Sequence, residues 1–221
     1  IQTFGPQRII VAEGSTSDTS EAFERFGYGR LERDYSNVEL VDLNRDSSDA
    51  VVFETLDGAE RKVRVSRTAK ECDFRVSVAR AKTHDHLVCT LSLKNMLGCV
   101  PKGGKVWAHG AAVEPSEPLG TVLRSNWLLA KNLVRLASVV KPDIGVIDGF
   151  VGMEGDGPIL GSPVRLRVAV AGCDFVAADA VMASTMGFDP REISYIYLAN
   201  RLGVGKGDLE SLTILGEDPE G

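Results

Sequence analysis

The chain has 221 residues, a net charge of −6 and 43% hydrophobic residues. This composition excludes collagen-like, disordered and coiled-coil proteins, and the length suits one domain whose core needs no disulfide or metal. The acidic net charge argues against a general nucleic-acid-binding protein, although a local basic patch is compatible with it.

The sequence contains no membrane-span, signal-peptide or paired-cysteine motif. No apolar run approaches the ~18–20 residues of a membrane span, and the first residues do not resemble a signal peptide. The four cysteines are scattered without a C-x-x-C pair, which indicates reduced thiols and no iron–sulfur cluster. We therefore expect a cytoplasmic protein that does not bind membranes.

The first third of the chain contains β-strand patterns and one helical pattern. Strands are predicted at 8–14 and 38–43, with a helix at 21–35 between them. Residues 50–66 alternate between apolar and polar on both sides of Asp57-Gly58, a pair that tight turns prefer, and they predict a β-hairpin.

The middle of the chain changes from a strand to basic, glycine-containing segments. The alternating residues 74–81 predict a strand that places 82–84 (Lys-Thr-His) at its end. Residues 87–98 are apolar at mixed spacing and predict a short helix, and 101–105 (PKGGK) predict a flexible basic turn.

The last part of the chain alternates between helical and strand patterns. Helices are predicted at 121–140, 174–186 and 192–202, and strands at 143–149, 164–171 and 211–215. This alternation predicts an α/β fold with a mixed, mostly parallel sheet flanked by helices, in one domain over 1–221.

Positive charge and histidine are concentrated in one part of the sequence. Residues 74–112 contain six lysines and arginines and one acid, a net charge of +5, so the rest of the chain carries −11. All three histidines lie within the 26 residues 84–109. This segment is the first candidate for a functional site.

We interpret this basic segment as an anion site. Its candidate residues are Lys82, Thr83, His84, Lys94, Asn95 and Lys105. Lys94 lies in an otherwise apolar stretch, where an unpaired ammonium group is costly, and this favours a ligand such as a carboxylate or a phosphate. A solvated basic face is the alternative interpretation.

A divalent metal is a second interpretation of the same histidines. His84 and His109 are the candidate ligands, but His84 and His86 point to opposite faces if both lie on one strand. They share an ion only if the backbone has left the strand between them.

The second candidate segment is glycine-rich. Residues 147–161 contain five glycines, including Gly155 and Gly157, together with Asp148 and Glu154. This density indicates a loop that leaves a strand and approaches a ligand. It matches neither the phosphate loop nor the dinucleotide-binding pattern, so nucleotide binding has no support from a motif.

Asp179 lies in an apolar helical run, AADAVMA. A buried carboxylate needs a partner. Lys94 or Lys82 is the partner that we expect, and this makes Asp179 a candidate ligand-site residue.

Three stretches together resemble a known family. They are KTHDHLVCTLSLKNMLGCVPKGGKVWAHG, DGFVGMEGDGPILG and CDFVAADAVMASTMGFDPREISYIYLANRLGVG. The sequence resembles the prokaryotic family catalogued as domain of unknown function 362. The resemblance implies a further α/β segment before this chain's first strand, so that the chain is a shortened or fragmentary member. Some relatives carry ferredoxin-like cysteine motifs, which this sequence lacks.

These observations lead to three hypotheses of function. The first is an enzyme acting on a small anionic substrate, with His84, Lys94, Asp148 and Glu154 as its catalytic residues. The second is a non-catalytic or redox-partner module that docks an acidic partner through the basic segment. The third is a metal-binding protein. All three hypotheses are compatible with a homo-oligomer.

Overall fold

The structure is a computed structural model that describes residues 2–46, 48–111 and 117–217. Its strands are β1 (Ile9–Glu13), β2 (Val38–Asp42), β3 (Ser48–Glu54), β4 (Glu60–Ser66), β5 (Val76–His84), β6 (Val88–Thr90), β7 (Ile144–Glu154), β8 (Ser162–Val164) and β9 (Val168–Gly172). Its α-helices are α1 (Thr19–Arg25), α2 (Gly29–Asp34), α3 (Arg67–Glu71), α4 (Ser92–Asn95), α5 (Leu119–Ala137), α6 (Phe175–Thr185) and α7 (Ser194–Arg201). Short 3-10 helices cover Gln2–Phe4, Met96–Cys99, Lys102–His109, Pro190–Glu192 and Leu209–Ser211.

The strands form three groups. β1 and β2 pair in parallel, and β3 and β4 form an antiparallel hairpin. The largest sheet has the order β6-β5-β7-β8, and β9 also pairs with β7. β7 therefore lies at its centre.

The α/β class, the mixed sheet and the hairpin near 50–66 are confirmed, but the expectation of mostly parallel pairing is wrong. Within the described strands of the largest sheet, β5–β7 is parallel, whereas β5–β6, β7–β8 and β7–β9 are antiparallel. The physical reason is the length of the connections. Short connections join β5 to β6 and β7 to β8, and such links suit antiparallel neighbours, whereas the helices between β6 and β7 provide a crossover.

Helices cover one face of the largest sheet. Ala79 and Ala81 of β5 and Ile147 of β7 are buried, and α4 and α6 pack on this side. α6 is apolar on all sides because it lies between the sheet and α7. α5 packs against α7 and β3 and so connects the hairpin to the core.

The predicted helix at 21–35 is divided into α1 and α2. Gly27 separates them with a φ of 71°, a left-handed conformation that interrupts a right-handed helix. The periodic pattern alone did not show this break.

Three other segments also differ from the prediction. Residues 87–98 do not form the single helix that was predicted, because they contain the strand β6 followed by the short helix α4. The expected flexible turn at 101–105 forms part of the 3-10 helix Lys102–His109. Residues 211–215 contain no strand in the described part of the chain. Short apolar runs are ambiguous in sequence because strands and buried helices have the same composition.

Asn132 on α5 joins the helix to two neighbouring segments. Its side chain is fully buried; Oδ1 accepts a hydrogen bond from the Glu54 amide at 2.9 Å, and Nδ2 donates to the Glu54 carbonyl at 2.9 Å. Nδ2 also donates to the carbonyl of Ala108 at 3.1 Å. One amide side chain therefore holds both the hairpin and the 3-10 helix that carries His109.

We expect Asn132→Ala to lower the free energy of unfolding by about 2–4 kcal/mol, because it leaves buried backbone groups unpaired. Denaturant unfolding measures this change. Gln7→Ala removes an exposed amide side chain and should change stability by less than about 0.5 kcal/mol. Equal stability of the two variants would contradict this role of Asn132.

Candidate functional site

The end of β5 carries the first three candidate residues, as predicted. Lys82, Thr83 and His84 are the last residues of the strand, and the chain turns at Asp85 before β6. Val88, opposite His84 in the ladder, has a φ of 68°. This conformation is unfavourable for a β-branched residue, and such strain is found preferentially at functional sites.

Helix α4 places Lys94 beside this strand end. The amide groups of Ser92 and Leu93, at the start of α4, donate hydrogen bonds of 2.7 and 2.9 Å to the two carboxylate oxygens of Asp179. Asp179 is fully buried on α6, and burial raises its pKa, although the hydrogen bonds from both amides favour the carboxylate form and oppose this shift. The expectation of a lysine partner for Asp179 is wrong, because backbone amides take that place.

Lys82, Lys94 and Lys105 form what we call the lysine cluster. They come from β5, α4 and the 3-10 helix Lys102–His109, and the charges of Lys82 and Lys105 both act on Lys94. Burial, followed by the charges of Lys105 and Lys82, lowers the pKa of Lys94 to about 8. Burial also lowers the pKa of Lys82 and of Lys105.

The three lysines differ in their partners. Lys105 donates a hydrogen bond to the Gly14 carbonyl. The negative charge of Glu13, at the end of β1, partly offsets the effect of burial on the pKa of both Lys82 and Lys105. The negative charge of Asp85 partly offsets the lowering of the Lys94 pKa. Among residues 2–46, 48–111 and 117–217, however, no acceptor lies within hydrogen-bond or ion-pair distance of the Lys94 ammonium group.

The three histidine rings lie next to one another beside Lys94. The ring centroids of His84 and His86 are 5.8 Å apart, and those of His86 and His109 are 5.2 Å apart. The two rings approach because the backbone leaves the strand after His84. Burial and the charge of Lys94 lower the pKa of His84 to about 3 and that of His109 to about 4, so both rings are neutral at pH 7.

The hydrogen bonds of His84 determine its tautomer. Its Nδ1 accepts a hydrogen bond of 3.0 Å from the His86 amide, so the neutral ring carries its proton on Nε2. Asp85 Oδ1 also lies 3.0 Å from this Nδ1 and would favour a charged ring. Burial and the charge of Lys94 keep the ring neutral, and the hydrogen bond from the His86 amide to Nδ1 then leaves the N–H group at Nε2.

The glycine-rich segment packs against the end of β5. The predicted loop is partly strand, because β7 continues to Glu154. Thr83 Oγ1 donates to the Gly155 carbonyl at 2.9 Å, and the Asp85 amide donates to the Gly157 carbonyl at 3.1 Å. A Cβ atom on Gly157 would lie 2.0 Å from the Thr83 carbonyl oxygen, so only glycine permits this approach.

Other predicted site residues lie outside the lysine cluster. Asp148 accepts from Arg80 at 3.3 Å on the exposed side of the sheet, and Glu154 is exposed at the end of β7. Asn95 donates to Ser77 Oγ at 3.1 Å and to the Val78 carbonyl at 3.3 Å. Among the described residues, none of these three side chains forms a hydrogen bond or an ion pair with the lysine cluster, and Asn95 holds α4 against β5.

The same region lacks a grouped set of metal ligands. Within the described ranges, no three His, Cys, Asp or Glu side chains are arranged to hold a metal ion. His84 and His109 are both close to Lys94, whose positive charge opposes a cation.

Sequence reasoning missed two acidic residues at the site. Glu13 ends β1 and Asp85 follows β5 directly. Ligands of α/β proteins gather at the carboxyl ends of strands, and this position was the available signal for both residues.

We expect Asp179→Ala to lower the free energy of unfolding by about 2–4 kcal/mol, because two buried amides lose their acceptor. Denaturant unfolding measures the loss. The exposed Asp34→Ala is the control, and it should stay within about 0.5 kcal/mol of the wild type. If Asp179→Ala were equally harmless, the proposed support of α4 would be wrong.

Comparison with known proteins identifies the family of the chain. No described helix is long and apolar enough to cross a membrane, and no solved structure matches the chain. The chain is 30% identical over 142 residues to "Thylakoid-associated protein sll1697" of Synechocystis sp., a match over 64% of this chain and 41% of that protein. The chain thus spans less than half the length of this curated relative. The family model described as "Domain of unknown function (DUF362)" matches residues 1–184, and the chain therefore belongs to the DUF362 family.

Proposed function

We propose that the protein binds a small carboxylate or phosphate at the lysine cluster, as the substrate of an enzyme. The observation that carries this proposal is the environment of Lys94. Its side chain is half-buried, is exposed to the positive charges of Lys105 and Lys82, and has no hydrogen-bond acceptor among the described residues. Such an arrangement costs stability unless a ligand compensates for it.

The charges of the cluster favour an anion over a metal ion. Three lysines converge there, and the acids that act on them are Glu13 and Asp85. A bound anion would relieve the repulsion between the lysines, whereas a cation would increase it. Two oxygens of one carboxylate or phosphate can accept from more than one lysine.

The histidines supply the second part of the proposal. His84 is neutral with its proton on Nε2, and His109 is neutral as well. An anion beside them would raise the pKa of both rings toward the ordinary range, because it favours their protonated forms. Both rings could then transfer protons to or from the bound molecule.

We expect Lys94→Met to abolish saturable binding of inorganic phosphate without loss of stability. Isothermal titration should give the wild type a Kd below about 1 mM. The melting temperature of the variant should be unchanged or a few degrees higher, because methionine removes a partly desolvated charge that has positive neighbours.

Lys141→Met removes an exposed lysine and is the matched control, which should bind phosphate as the wild type does. Wild-type phosphate binding that survives Lys94→Met would refute the assignment. If the wild type itself binds no phosphate, and binds acidic proteins in a strongly salt-dependent way, the non-catalytic docking function is correct instead.

Sulfate binding should weaken as the pH rises through about 8. The pKa of Lys94 in the free protein is about 8, so the ammonium form is the main form below that pH and is lost above it. Affinity should fall by up to about tenfold per pH unit above 8, with proton uptake on binding. Sulfate is the suitable probe because its own charge is constant in this range.

Lys94→Arg is the control for this pH profile, because arginine keeps its charge. Its sulfate affinity should be nearly constant between about pH 7 and 9. A wild-type profile as flat as that of Lys94→Arg would show that another group dominates binding.

A further inference from the structure

We propose that His86 is a proton-accepting group and that Asn126 on α5 is its positioning residue. The proton would come from the O–H group of a small molecule, or of a water molecule, that lies beside the His86 ring. This inference goes beyond the proposed function, which uses His84 and His109, and it does not depend on the lysine cluster.

The contact with Asn126 determines which nitrogen of His86 carries the proton. His86 Nδ1 lies 2.7 Å from Asn126 Oδ1. An amide oxygen is only an acceptor, so Nδ1 is the donor and carries the proton. In the neutral ring Nε2 then keeps its lone pair and can take up a proton.

Asp85 lies on the other side of the ring and does not reverse this assignment. Its Oδ2 atom is 3.7 Å from His86 Nε2, which is too long for a hydrogen bond. The shorter contact, with Asn126, therefore decides the tautomer of the neutral ring. Once Nε2 has taken up a proton, the nearby carboxylate stabilises the positive charge.

His86 differs from its two neighbours in the histidine group. Its side chain is 34% exposed, whereas that of His84 is 6% exposed. Burial and the charge of Lys94 hold the pKa of His84 at about 3 and that of His109 at about 4. These two rings are poor proton acceptors in the free protein, and in their neutral form they do not repel a charged His86.

Helix α5 supports the histidine group at two adjacent positions. Asn126 binds the His86 ring, and Ser125 Oγ donates a hydrogen bond of 3.0 Å to the His109 carbonyl. The rings of His86 and His109 have centroids 5.2 Å apart. α5 has 19 residues, and a regular helix positions functional groups more precisely than a loop does.

The proposed step is a proton transfer that needs no other reactant. The lone pair of His86 Nε2 takes the proton, and the oxygen keeps the electron pair of the O–H bond. The ring becomes an imidazolium ion, and the oxygen becomes a stronger nucleophile. The reaction class is therefore one in which an alcohol or a water molecule attacks an electrophilic centre.

Nitrogen NMR of the whole chain tests the tautomer. At about pH 8.5 an ordinary imidazole is neutral, and long-range proton–nitrogen correlations show which ring nitrogen carries the proton. We expect the proton on Nδ1 in His86 and on Nε2 in His84. Asn126→Leu should move the His86 proton to Nε2, because Asp85 is then the nearest acceptor, and Asn126→Asp should keep it on Nδ1 because a carboxylate also accepts.

Acylation by diethyl pyrocarbonate tests whether the Nε2 lone pair is available. This reagent modifies unprotonated imidazole nitrogens, and peptide mass spectrometry identifies the modified residue. His86 should react about tenfold faster or more than the buried His84, which must first be exposed by local opening. Asn126→Leu should slow the reaction of His86 by about tenfold, and Asn126→Asp should restore it.

Gln7→Leu is the matched control, because it replaces an exposed carboxamide elsewhere in the chain, and it should change neither result. A wild-type His86 with its proton on Nε2 would refute the inference, and this result needs no variant to fold. Acylation of His86 that is equally fast in Asn126→Leu would refute the role of Asn126. Sulfate titration tests the anion site separately, so each proposal can fail without the other.

Discussion

The position of the candidate site depends on the contact between Asp179 and the first turn of α4. The carboxylate is fully buried on α6 and accepts hydrogen bonds from the Ser92 and Leu93 amides. α4 has only four residues, which is too short for a helix to be stable by itself. The carboxylate therefore supplies acceptors for amide groups that a helix start leaves unpaired, and it holds Lys94 two residues further on.

The surroundings of Lys94 illustrate a conflict between stability and binding. Three lysines and three histidines gather from the single segment 82–109, and burial together with the charge of Lys94 keeps two of these imidazoles neutral. An ammonium group without an acceptor among the described residues is unfavourable in the free protein. In the proposed function the same group becomes favourable once an anion is bound, and this difference would supply binding energy.

The sequence predicted the basic half of this site better than the acidic half. Lys82, His84, Lys94, Lys105 and His109 stood out because charge and histidine were concentrated in one segment. Local charge density is visible in sequence, and here the fold kept these residues together. Asp148 and Glu154 stood out for a different reason, glycine density, which reports backbone conformation and close approach. In the structure Gly157 packs closely against Thr83, whereas Asp148 and Glu154 lie away from the lysine cluster.

The sequence by itself determined the α/β class, the hairpin, the strand that ends in Lys82 to His84, and the basic character of the site, because periodicity and composition are local properties. The tertiary structure alone decided the strand order, the antiparallel pairings around β7 and the partners of the buried polar groups. It brought Glu13 to the lysine cluster, and it gave Asp179 backbone amides in place of a lysine. The physical reason is that a buried polar group takes whichever partner packing places beside it, and that choice depends on elements far apart in the chain.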